Sequence, residues 1–79
     1  MEKFSFLDYK EEIETVSRVN NVDMGVAFDQ FKTDVIFGKA HAYNTGDALP
    51  GFDFAAAKEK WDALTEWEKS EAHIEWHNR

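Results

Sequence analysis

The chain has 79 residues, 16 acidic and 9 basic, with a net charge of −7 and no cysteine. Those numbers exclude a disulfide framework and a thiolate metal site. They leave one small domain spanning 1–79, whose folding buries only about 60% of the surface exposed by the unfolded chain. Residues 1–24 and 51–79 each carry about −3, with the middle close to neutral, so the negative field is global; it repels phosphate and anionic membrane surfaces and suits a basic protein partner. The stretch from Met1 to Asp8 has no apolar core or cleavage pattern, and no run approaches the ~20 apolar residues that span a bilayer. The expectation is a cytoplasmic protein with no membrane attachment.

Phe6, Tyr9, Ile13 and Val16 recur at three and four residues, and Asp8-x-x-Glu11 offers a capping pair. A first helix is therefore predicted from about Asp8 to Val19, broken by Asn20-Asn21. Met24, Ala27, Phe28, Phe31 and Val35 carry the same spacing into a second helix, capped by Asn21 or Asp23 and running to about Ala42. Val35-Ile36-Phe37 is too short to compete as a strand. Residues 44–51 combine turn formers with the only proline and read as a loop, the segment expected to be most mobile.

Phe54, Ala57, Trp61 and Leu64 mark a third helix capped by Asp53. Thr65 and Glu68 then form a complete capping box: the hydroxyl accepts from the Glu68 N–H while the carboxylate accepts from the Thr65 N–H, which fixes a helical hairpin. Trp67, Glu71, Ile74 and Asn78 trace a less clean stripe on the fourth helix. The expected fold is all-α, a compact bundle of three or four helices.

Twelve aromatic residues compete for this small core. Phe28, Phe31, Phe54 and Trp61 fall on inner faces, where burial of each contributes about 2–3 kcal/mol. Phe37, Tyr43, Trp67 and Trp76 fall off the stripes and are the candidates for a partner-binding patch. The alternative is a fourth helix that packs through two faces.

Chemical motifs are sparse. His73 and His77 lie at i and i+4, a metal-chelating spacing, but Ile74 follows His73 where a zinc protease needs glutamate. The pair reads as solvated histidines, with no metal and no cofactor expected. No nucleophile–base constellation is evident, and Gly25, Gly38, Gly46 and Gly51 fit no dinucleotide fingerprint. Carboxylates such as Glu11 and Glu12 fall on outer faces, where raised pKa values are not expected. The chain reads as a non-enzyme.

Trp61-x-x-Leu64-Thr65-x-x-Glu68-Lys69 resembles the junction between the second and third helices of HMG boxes, and Phe28-Asp29-Gln30-Phe31 is similar to the aromatic pair on their first helix. The likeness covers about residues 27–72. It implies an HMG-box-like bundle with an extra N-terminal helix, Leu49 or Phe52 as an apolar wedge into the DNA minor groove, and Lys32, Lys39, Lys58 and Lys60 as the surrounding cations. Ala72 stands where the family carries an aromatic residue, the last helix is short, and acids outnumber these lysines in their own segments. Direct DNA binding is thus disfavoured by charge. Phe31-Lys32 and Lys60-Trp61-Asp62-Ala63 also look like pieces of acyl-CoA-binding proteins, a likeness that implies Tyr43 and Lys58 as nucleotide contacts, although the intervening loop is too long.

The leading reading is a non-enzymatic acidic interaction module that binds a basic or nucleic-acid-binding protein, as a DNA mimic does. In size and composition it resembles phage-encoded regulators of host machinery. An HMG-like DNA binder and an acyl-CoA-binding module are the alternatives.

Overall fold

Three of the four α-helices in the computed structural model, which describes residues 3–79, begin at a residue whose side chain accepts a hydrogen bond from the third residue on. Asp23 accepts from Val26 at the start of α2 (Met24–Phe37) and Asp53 from Ala56 at the start of α3 (Phe54–Asp62). Thr65 opens α4 (Glu66–His77) with both halves of its capping box, at 3.1 and 2.9 Å. These bonds satisfy donors that every helix start leaves unpaired.

The first helix starts later than its spacing predicts. Ser5, not Asp8, is the capping residue, and it caps a 3-10 turn over Phe6–Tyr9 that leads into α1 (Lys10–Asn20). Asn21 then ends α1 in the left-handed conformation at φ 54°, which the short polar side chain of asparagine tolerates. The second helix stops five residues before the expected Ala42: Gly38 adopts φ 74° and its N–H returns to the carbonyls of Asp34 and Val35. A side chain at 38 would also meet the Lys58 stem, so glycine is required twice over. Beyond it, residues 44–51 are not an open loop. The amides of Asn44, Thr45 and Gly46 all donate to the His41 carbonyl, winding Ala42–Gly46 into one π turn, and Thr45 is fully buried.

Helix α2 is the centre of the bundle, packed on α1, α3 and the π turn, whereas α4 packs on the N-terminal 3-10 turn. Phe28, Phe31, Phe54 and Trp61 are all in the core, as their spacing predicts. Trp76 of α4 and two rings of the N-terminal segment complete the aromatic core. Phe6 packs edge-on against Phe28 at 4.8 Å between ring centroids, and Phe4 against Trp61 at 5.5 Å. Ser5 Oγ donates to Glu75 at 2.5 Å, tying this segment to α4. No strand forms among the described residues, and no helix there is long and apolar enough to cross a membrane.

Candidate interaction surface

Asp34 sits in the last turns of α2 with its carboxylate fully buried, a costly position unless every oxygen lone pair finds a donor. Four donors supply that. The His41 N–H lies at 3.0 Å, His41 Nδ1 at 2.6 Å, Asn44 Nδ2 at 3.1 Å and Thr45 Oγ1 at 2.5 Å. Burial alone pushes the carboxyl pKa up, but the bonds from Thr45, His41 and Asn44 outweigh it and hold Asp34 below the usual carboxylate range. Asn20 braces the same corner from α1, its amide donating to Gln30 of α2 and to the Asn44 carbonyl. The turn after α2 is therefore bolted to two helices by polar contacts.

Apolar rings stand outside this polar frame. Phe37 is 61% exposed and Tyr43 78% exposed, flanking the half-buried His41 ring at 5.6 and 5.4 Å between centroids. The structure thus brings together two of the four expected partner-binding residues around a histidine and an aspartate that sequence spacing did not single out. Asp34 sits at i+3 from Phe31 and next to Val35, on the inner face. An ionisable residue on a buried helix stripe was the signal available.

A second apolar surface begins one residue away. Ile36 lines an open groove of about 440 Å³ between α2 and the α3–α4 hairpin, with Trp61 and Ile74 as its other apolar walls and Lys32, Glu66, Lys69, Ser70 and His73 as its polar ones, Glu66 pairing with Lys69 at 3.6 Å. Lys32 Nζ donates to His73 Nδ1 at 3.0 Å. No carboxylate among the described residues lies within ion-pair distance of Lys32. Burial first, then the nearby charges of Lys32 and His77, keep the His73 pKa below its ordinary value, so its ring is neutral at pH 7. Lys69 lies over the Trp61 ring at 5.7 Å. Trp67, 74% exposed, stands on the same face of α4 as Ile74, seven residues apart.

Trp76 does not join this surface. It is only 1% exposed, stacked on Phe28 at 5.3 Å and 7° between ring planes, and covered by the Arg79 guanidinium at 3.8 Å. The stripe expected on the fourth helix, Trp67, Glu71, Ile74 and Asn78, is exposed throughout; α4 packs instead through one stripe, Ala72 and Trp76 buried with Glu68, Lys69 and His73 half-buried beside them. Leu49 and Phe52 are not free wedges either: both are partly buried against the core, Phe52 edge-on to Tyr9, Phe31 and Phe54. The four lysines expected around them are dispersed. Lys32 is in the groove, Lys58 lies over Gly38 and pairs with Asp62, and Lys39 and Lys60 are exposed. The His73 and His77 rings lie 4.6 Å apart between centroids, tilted by 56°, and no group of three or more metal-ligating side chains occurs among the described residues.

Comparison with known proteins identifies no relative: no family model, no curated protein and no solved structure matches the chain.

Proposed function

We propose that this chain is a non-enzymatic, cytoplasmic helical interaction module that binds a basic or nucleic-acid-binding protein through the corner formed by Phe37, His41 and Tyr43, as a DNA mimic does. The observation that carries the reading is the pairing of two exposed rings with a rigid support. Phe37 and Tyr43 stay in water while Asp34, fully buried, fixes the histidine between them. Anchors held in place before binding lose little side-chain freedom on docking, and aromatic anchors dominate interface energetics. A net charge of −7 steers a cationic partner toward such a surface.

The same geometry weighs against catalysis. An aspartate orienting a histidine is half of a nucleophile-activating relay, but the Thr45 hydroxyl gives its proton to the same Asp34 and not to the imidazole.

The test is capture of cytosolic proteins by the immobilised chain, compared with the Phe37→Ala/Tyr43→Ala double variant, alongside amide-shift titrations with short linear and branched DNA duplexes at low salt. Expected are a partner lost with the double variant and no shifts with DNA. Saturable DNA shifts at Lys32, Lys39, Lys58 and Lys60 would instead establish an acidic DNA binder; saturable binding of a long-chain acyl thioester would establish a lipid carrier.

A further inference from the structure

The corner of Phe37, His41 and Tyr43 rests on a buried charge that no lysine or arginine neutralises. Among the described residues the one ion-pair contact of Asp34 is with the His41 ring. Its other donors, the Asn44 amide, the Thr45 hydroxyl and the His41 N–H, are neutral. An ionised carboxylate only accepts hydrogen bonds, so at the 2.6 Å contact it is Nδ1 of His41 that carries the proton. The neutral imidazole then keeps its lone pair on Nε2. No protein group bonds to Nε2, and no buried side-chain nitrogen or oxygen among the described residues lacks a partner, so Nε2 meets solvent. An acceptor with an anion behind it thus opens beside two exposed rings, Phe37 at 5.6 Å and Tyr43 at 5.4 Å from the imidazole.

From this arrangement we infer that the corner takes an arginine side chain of the basic partner, its guanidinium donating to His41 Nε2 and lying against the rings of Phe37 and Tyr43. The inference rests on the reading of this corner as a docking surface and names what is docked. A cationic donor fits because the lone pair accepts, the aromatic faces are negative and the carboxylate behind the imidazole is charged. Arginine fits better than lysine: the planar guanidinium donates an N–H in its own plane while its faces remain free to stack, and it sheds water more readily than an ammonium does. Lys58, whose stem packs over Gly38 next to Phe37, is paired with Asp62. Between residues 34 and 47, Lys39 is the only basic residue besides His41 and stands against Asp34 and Asp47, so the incoming cation meets no local excess of like charge.

The probe is a blocked glycine–arginine–glycine tripeptide, titrated into the isotope-labelled full chain at about pH 8, above the ordinary histidine range, and about 0.15 M salt. Two further peptides carry citrulline, the neutral isostere, or lysine in place of arginine. The lysine peptide feels the same net charge of −7 and so separates the site from the field. The arginine peptide binds about tenfold more tightly than either, moving the ring signals of Phe37 and Tyr43 and the Nε2 resonance of His41. Phe37→Ala and Tyr43→Ala each weaken it by about threefold, with helical circular dichroism unchanged because both side chains are exposed. Equal responses to the three peptides, or arginine-induced shifts that leave the rings of the corner unmoved, overturn the inference. If a cytosolic partner is nevertheless lost with Phe37→Ala/Tyr43→Ala, the docking surface stands and only the arginine assignment falls. A partner indifferent to that double variant removes the docking reading instead, and the peptide selectivity alone then decides the arginine site.

Discussion

Near the N-terminal end of α2, Phe28 is enclosed by Phe6, Trp76, His73 and His77, rings packed on rings. Six residues on, Asp34 gathers the chain by a different route, through four hydrogen bonds to one carboxylate. The first arrangement consumes aromatic surface, and the second fixes a backbone turn without covering any. That difference is why Phe28 and Trp76 vanish into the core while Phe37 and Tyr43, close to an equally ordered corner, remain in water. Order and burial are separable properties here, and a docking surface forms where the first exists without the second.

The comparison breaks most visibly at its aromatic end. Phe28→Ala removes the ring against which Trp76 stacks and costs about 3–5 kcal/mol, a large share of the roughly 4–12 kcal/mol expected of a domain this size; urea denaturation will show the midpoint collapse. At the polar end, Asp34→Asn keeps the shape but loses the charge that strengthens its bonds, for about 1.5–3 kcal/mol. Because the folded carboxyl lies below its unfolded value, the stability it contributes is complete above the unfolded range and is lost as pH falls through the folded value. The gap in urea midpoint between parent and Asp34→Asn is therefore wide at pH 7 and closes below about pH 4. The smallest effect sharpens the contrast. Truncating Phe37 and Tyr43 together changes stability by less than about 0.5 kcal/mol, measured by the same denaturation, although two large rings are removed.

Local chemistry was legible in the sequence. Asp23, Asp53 and the Thr65–Glu68 box cap helices because a cap depends only on residues within one turn, and the stripe of Phe28, Phe31, Phe54 and Trp61 reads as core because one face of each helix repeats at helical spacing. Long-range events were not. Trp76 is buried because Phe28 of α2, far away in sequence, stacks on it, and nothing local to α4 tells the buried stripe of Ala72 and Trp76 from the exposed one of Trp67 and Ile74. The turn beyond α2 depends on Asp34 collecting donors from residues seven to eleven positions ahead. Phe37 and Tyr43 emerged from the spacing because they fit no stripe; their histidine did not, since its role exists only through Asp34.

The bond from Ser5 to Glu75 joins residues 70 positions apart, which gives the fold two very different scales of loop closure. Helices α1, α2 and α3 are neighbours in sequence as well as in space, so their contacts close short loops. Docking of α4 on the 3-10 turn closes nearly the whole chain into a ring. Each doubling of loop length adds about 0.6 kcal/mol of closure entropy, and contacts of high sequence separation slow folding. The ring stack at Phe28 thus depends on closing the long loop to Trp76, whereas the carboxylate corner at the other end of the same helix closes loops of only seven to eleven residues.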